Sequence, residues 1–258
     1  TCSFDVTVVD AELPVVTCPA NITVGNTTGL CSAVVSFSAT ATDNCSATIS
    51  YSLASGSTFA VGTTTVTATA TDTAGNTASC SFDVIVNDTE FPSFAGCPTD
   101  ITISTTGSCD QTVSWTAPTA SDNCAGVTLS SNHNPGDLFP VGTTIVTYTA
   151  IDGAGNTTIC TFNVIVEDHE NPVVTCPGDI TLSANAAGCS AIATFSASAT
   201  DNCSATLSYS HASGSSFSGT TLVTVTATDP SGNIGTCSFN VIVVNDLVAS
   251  SSATDILC

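Results

Sequence analysis

The chain is built on an internal repeat, and this constrains its fold more than any other feature. Aligned on itself, it gives three copies of one unit beginning at Asp10, Asp88 and Asp168, with a further Asp-initiated junction at Asp246, so the spacings are 78, 80 and 78 residues. Units of that size are long enough to be small domains in series, each with a core of its own. In every copy the same landmarks follow in the same order: a D-x-E-x-P opening, Cys-Pro, a second Cys, D-N-C, V-G-T-T, D-x-x-G-N and C-x-F. Copy one reads Asp10 to Pro14, Cys18-Pro19, Cys31, Asp43-Asn44-Cys45, Val61 to Thr64, Asp72 to Asn76 and Cys80 to Phe82. Copy three departs only at V-G-T-T, where Ser218-Gly219-Thr220-Thr221 stands.

These landmarks set the expected domains at 10–87, 88–167 and 168–245. Cys2-Ser3-Phe4-Asp5-Val6 matches Cys80-Ser81-Phe82-Asp83-Val84, so residues 1–9 read as the last strand of an earlier, truncated copy. Residues 246–258 lack the E-x-P and Cys-Pro that should follow Asp246 and read as the start of a different module. The segment is thus expected to belong to a much longer chain.

Thr65 to Ala70 and Ile145 to Ala150 alternate between two faces in β-branched sequence, the pattern of half-buried strands. Ala33 to Phe37, Val113 to Trp115 and Ala191 to Phe195 read as equivalent strands, and Gly, Asn and Ser clusters between strands read as turns. Helix signals are missing. The expected class is all-β: tandem immunoglobulin-like β-sandwich repeats in an elongated, disulfide-stapled array. Trp115 aligns with Phe37 and Phe195 and is expected to pack in the core.

Charge excludes several functions. There are 21 Asp and Glu and no Lys or Arg, for a formal net charge of −21. Nucleic acids and anionic membranes are held through Lys and Arg contacts to phosphate, so neither is an expected partner. Only 8% of residues are charged, which separates the chain from solvated, disordered acidic tails. Fourteen Cys without a CxxC pair argue for disulfides over zinc, hence for an oxidising compartment outside the cytosol. No apolar run reaches the length of a membrane span.

Taken together, the landmarks resemble the HYR (hyalin repeat) domain, an immunoglobulin-like extracellular module, and the resemblance covers residues 1 to 246. The four-Cys form is similar to repeats of giant Bacteroidota cell-surface adhesins of the SprB gliding type. Two-Cys members of the family keep only the Cys-Pro and C-x-F cysteines, which implies the pairs Cys18 with Cys80, Cys97 with Cys160 and Cys176 with Cys237. The remaining cysteines are then expected to join within each copy, Cys31 with Cys45, Cys109 with Cys124 and Cys189 with Cys203.

Four acids recur in each copy: Asp10, Glu12, Asp43 and Asp72; Asp88, Glu90, Asp122 and Asp152; Asp168, Glu170, Asp201 and Asp229. In an immunoglobulin-like sandwich these segments gather at the pole that faces the preceding domain, an arrangement similar by analogy to cadherin junctions. With no basic residue to neutralise them, Ca²⁺ is the expected partner, because it takes six to eight oxygen ligands. The competing reading is that these acids cap turns, as Asp and Asn do. The opening Glu, which is not a turn former, favours calcium.

Catalysis has no support: His133, His169 and His211 occupy no common aligned position, so the chain is not read as an enzyme. Asn21, Asn26, Asn44, Asn87, Asn156 and Asn202 head N-x-S/T sequons and allow glycans. The expected function is a stalk or filament segment of an extracellular, cell-surface adhesin for gliding or attachment. The alternative is that the repeats themselves bind a polysaccharide or protein, or associate laterally.

Overall fold

A computed structural model describes residues 1–185 and 189–245. Repeat 1 carries β1 (Val15–Thr17), β2 (Ile22–Gly25), β3 (Ser32–Val35), β4 (Thr40–Thr42), β5 (Ala47–Tyr51), β6 (Ser57–Ala60), β7 (Gly62–Asp72) and β8 (Thr77–Asn87). Repeat 2 carries β9 (Ser93–Ala95), β10 (Ile101–Ser104), β11 (Asp110–Thr112), β12 (Thr119–Ser121), β13 (Thr128–Ser131), β14 (Leu138–Pro140), β15 (Gly142–Ile151) and β16 (Thr157–Glu167). Repeat 3 carries β17 (Val173–Thr175), β18 (Ile180–Ser183), β19 (Ala191–Ile192), β20 (Ser198–Thr200), β21 (Thr206–Tyr209), β22 (Ser216–Phe217), β23 (Thr220–Thr228) and β24 (Ile234–Val244). There is no helix among the described residues.

Each repeat folds the same way. A four-stranded sheet, ordered β2-β8-β7-β5 in repeat 1, forms one layer, and the short pairs β1-β4 and β3-β6 form the other. The sheets β10-β16-β15-β13 and β18-β24-β23-β21 repeat that order. β2 runs parallel to β8, with Ile22 opposite Val84, while β7 pairs antiparallel with both β8 and β5. The alternation read from sequence fixes which face turns inward: Val66, Ala68 and Ala70 of β7 and Val84 of β8 are fully buried, while the threonines between them line the other face.

These cores are small, and aromatic contacts anchor them. The Phe37 ring lies 5.0 Å from Phe82 and 5.3 Å from Tyr51, and Trp115 lies 5.3 Å from Phe162 and 6.0 Å from Phe139, all edge-on. Trp115 is therefore a packing residue. The strands expected to end at these rings stop short of them, however: β3 ends at Val35, β11 at Thr112 and β19 at Ile192. Around Phe37 side chains replace the ladder. The Ser55 hydroxyl accepts the Phe37 N–H at 2.8 Å and donates to its carbonyl at 2.7 Å, and the Tyr51 hydroxyl accepts the Ala39 N–H. Releasing the backbone from pairing lets it turn the ring into the core.

Residues 1–9 form no strand in this chain, and Phe4 and Val8 are exposed. The matching segment β8 is held between β2 and β7, whereas residues 1–9 have no such neighbours. The module expected at 246–258 lies outside the described residues.

The described chain forms two compact units. One comprises Thr1–Pro98, Thr116–His133 and Thr147–Thr161; the other comprises Thr99–Trp115, Asn134–Val146 and the chain from Phe162. Each unit contains one outer repeat and the pole of repeat 2 that adjoins it, so each of the two repeat junctions lies inside one unit.

Candidate functional site

Three bridges close the sandwiches. Cys18 joins Cys80, Cys97 joins Cys160 and Cys176 joins Cys237, with sequence separations of 62, 63 and 61 residues. Each runs from the end of the first strand to the middle of the last.

The second set of cysteines corrects the expected pairing. Cys31 joins Cys124, not Cys45, and Cys109 joins Cys203, not Cys124, with Cα–Cα distances of 4.9 and 4.6 Å. Both bridges cross from one repeat to the next. The second cysteine sits after β2 at the pole facing the following repeat, and the D-N-C cysteine sits after β4 at the opposite pole. The two are therefore near each other across a junction and far apart within a copy. Cys189 is disulfide-bonded, though not to Cys203, which is held by Cys109. Cys45 and Cys2 are exposed free thiols.

At each junction the four recurrent acids divide by what they hold. Asp72, Asp152 and Asp229 are buried turn acids. Asp72 accepts the Asn76 N–H at 2.8 Å and the Asn76 amide at 2.7 Å, and the same clasp recurs in Asp152–Asn156 and Asp229–Asn233. Burial pushes their carboxyls up, but these N–H bonds more than offset it and hold all three below the usual carboxylate range. The turn also needs its glycine: Gly75, Gly155 and Gly232 have φ of 94, 95 and 90°. Through its amide, each of these asparagines donates to the carbonyl of the opening Asp, Asp10, Asp88 or Asp168.

The opening Glu reaches into the preceding repeat. Glu90 accepts the Gly29 N–H at 2.7 Å, and Glu170 accepts the Gly107 N–H at 2.9 Å. Around the first junction Asn123 donates to the Leu30 carbonyl at 3.1 Å, and Asn26 accepts from the Thr89 N–H and hydroxyl. Around the second, Thr105 bonds Asp168 and receives the Asn202 amide. Gly29, Asn26 and Thr105 were missed in the sequence. The available signal was the glycine two residues before the second cysteine, Gly29-Leu30-Cys31 and Gly107-Ser108-Cys109, whose recurrence had no role inside one sandwich.

Six buried side-chain atoms among the described residues lack a hydrogen-bond partner, and all are oxygens of these two motifs: Asp10 Oδ2, Asp43 Oδ1, Asp88 Oδ2, Asn123 Oδ1, Asp168 Oδ2 and Asn202 Oδ1. The other oxygen of each D-N-C aspartate, Asp43, Asp122 and Asp201, accepts the N–H of the cysteine two residues on. Asp10, Asp43 and Cys45; Asp88, Asp122 and Cys124; and Asp168, Asp201 and Asp229 each bring ligand atoms within 4.8 Å of one another. Such a set of hard oxygens suits a cation of the calcium type, and the bridged sulfur of Cys124 is not a donor for it. The Cys45 thiol is pushed up, first by the Asp10 carboxylate beside it and then by the charges of Asp43 and Asp72.

The three histidines are not brought together. His169 contacts Glu167 at 3.3 Å, and His211 contacts Ser210 and the Phe217 ring. No helix among the described residues is long and apolar enough to cross a membrane.

Five bridges between described residues of small β-sandwiches, two of them crossing between domains, define a class: a disulfide-stapled extracellular array of immunoglobulin-like repeats. The HYR domain matches residues 9–86, 87–166 and 167–243. The chain belongs to the HYR domain family. It is 39% identical to Hyalin of Strongylocentrotus purpuratus over 94% of its length and 22% of that protein. It is 35% identical to Hyalin of Lytechinus variegatus over 95% of its length and 49% of that protein. To the mouse Sushi, von Willebrand factor type A, EGF and pentraxin domain-containing protein 1 it is 34% identical over 69% of its length and 5% of that protein. The chain thus spans less than half of these relatives. Among solved structures, mouse Cadherin-23 EC22-24 matches with 16% identity and a TM-score of 0.34, covering 91% of this chain and 99% of that one.

Proposed function

We propose that this chain is a load-bearing, non-enzymatic spacer segment of a longer extracellular adhesion protein, with joints that bind calcium. The observation that carries the spacer reading is the path of the bridges. Tension applied along the chain passes through Cys18–Cys80, Cys97–Cys160 and Cys176–Cys237 without entering the loops they close. Only the 16 residues between Cys80 and Cys97 and the 15 between Cys160 and Cys176 lie between successive bridges. At about 3.5 Å per extended residue, each connection can pay out about 60 Å, against about 270 Å for a whole unbridged repeat. Single-molecule pulling tests this: oxidised protein should show no extension step near the larger value, and reduction should produce them. Long steps in oxidised protein would refute the reading.

Calcium is supported by the orphaned oxygens. Asp88 with Asp122 and Asn123, Asp168 with Asp201 and Asn202, and Asp10 with Asp43 would be its ligands, and the cation would neutralise carboxylates that no Lys or Arg can reach. The turn acids Asp72, Asp152 and Asp229 already have N–H partners and would contribute little beyond charge. Affinity is expected at about 10⁻⁴ to 10⁻³ M, the range of extracellular modules. Melting with added calcium or with EDTA tests it: calcium should raise the melting temperature in wild type and not in Asp88→Asn/Asp168→Asn. Equal melting in calcium and EDTA would refute it.

A further inference from the structure

In repeats 2 and 3 the pole built from the D-x-E-x-P opening and D-N-C is a docking face already in use. Cys124 and Cys203 are bridged to the preceding repeat, Glu90 and Glu170 accept a glycine N–H from it, and Asn123 donates to its Leu30 carbonyl. Repeat 1 carries the same residues at the same places, Glu12, Asn44 and Cys45. There Glu12 and Asn44 bond each other at 3.0 Å, and Cys45 is an exposed free thiol where its two counterparts are buried.

We propose that this face of repeat 1 docks the Gly-x-Cys pole of another copy of the same repeat and closes on it through a disulfide at Cys45. Two copies in the molecule already make this attachment through the same Glu and Cys, which separates Cys45 from an isolated surface thiol. Docking would part the Glu12–Asn44 pair, free the Glu12 carboxylate to accept the incoming glycine N–H, and free the Asn44 amide for the neighbouring carbonyl. Forming the bridge removes one hydrogen from each thiol. The two electrons and two protons pass to the disulfide of an exported thiol–disulfide oxidoreductase, which becomes a dithiol, as closure of Cys31–Cys124 also requires. The proposal deepens the spacer reading but does not depend on load bearing.

Non-reducing peptide mapping of the full secreted protein that contains this chain tests it. The Cys45 peptide should be linked to a peptide from outside residues 1–258 whose cysteine lies two residues after a glycine. Gel mobility with and without reductant assigns the source. Unchanged mass means a copy in the same chain, and a reducible dimer means a copy in a second molecule, with the docking face upheld in either case. Cys45→Ser should expose one new alkylatable thiol, at that partner cysteine. A free Cys45 thiol in the secreted protein, a bridge from Cys45 to Cys2 or Cys31, or no new thiol in Cys45→Ser would overturn the proposal.

Discussion

Within each sandwich, the residues that matter keep to their own repeat. Val66, Val84 and Val86 are almost wholly buried among neighbours of repeat 1, and every ladder bond of β7 goes to β8 or β5. At the poles the bonds leave the repeat: Cys31 goes to Cys124, Gly29 to Glu90 and Asn26 to Thr89. The difference separates two properties that one thermal transition would merge. Folding of a repeat depends on its layers and its Cys18–Cys80 type bridge, whereas coupling between repeats depends on the junction.

The largest effect should come from the bridges within repeats. Cys18→Ser with Cys80→Ser removes a link across 62 residues, worth about 4 kcal/mol in the chain-entropy account. Calorimetry should show repeat 1 melting early while repeat 3 is unmoved. A uniform shift of the whole protein would mean that layers and joints are not separable.

Breaking Cys31–Cys124 by paired serines should act differently. It should split a cooperative transition into separate melts for repeats 1 and 2, with each sandwich still resistant to chymotrypsin. Loss of protease resistance in repeat 1 would show that the crossing bridge supports the layers as well.

Below these lies the turn. Gly155→Ala places a side chain at φ 95°, costing about 1–2 kcal/mol and loosening Asp152 and Asn156. Acid probes the same clasp. Because the folded carboxyls of Asp72, Asp152 and Asp229 lie below their free value of 3.8, the stability they add is present above about pH 4. It is lost as pH falls through the folded values. Acid titration by circular dichroism should show that loss, and a triple Asp→Asn variant should weaken the pH dependence below 4, leaving the part carried by Asp100 and Asp179, whose carboxyls the Asn163 and Asn240 N–H groups also hold low. The smallest effect belongs to Glu90→Ala, about 0.5–1.5 kcal/mol for one partly exposed hydrogen bond, seen in the coupling between repeats and not in the melt of either one.

How much of this was legible in sequence follows from the same division. Period-two alternation in Thr65 to Ala70 determines which side chains enter the core, because it is a local property of the strand. The aromatic at Phe37 and Trp115 was readable as core from its alignment. The interruption of the strand beside it was not, since that depends on Ser55 and Tyr51 arriving from elsewhere. The crossing bridges were hidden for a stronger reason. Cys31 and Cys45 are close in sequence but belong to opposite poles, and a pairing confined to one copy cannot express contacts that exist only between copies. The recurrent acids looked alike in sequence. Only their partners distinguish the turn acid Asp72 from the interrepeat acceptor Glu90 and from Asp88, whose Oδ2 is left without a bond.

Covalent joining of successive repeats is the central claim, and disulfide mapping of oxidised chain 1–258 tests it most directly. Trypsin has no site in a chain without Lys or Arg, so the digest should use pepsin at low pH, where disulfides do not exchange. Peptides bearing Cys31 and Cys124 should be recovered linked to each other, and those bearing Cys109 and Cys203 likewise, with Cys45 carrying a free thiol. Recovery of Cys31 linked to Cys45 and of Cys109 linked to Cys124 would contradict the account, because each repeat would then be a separately closed domain with no covalent bridge across the junction.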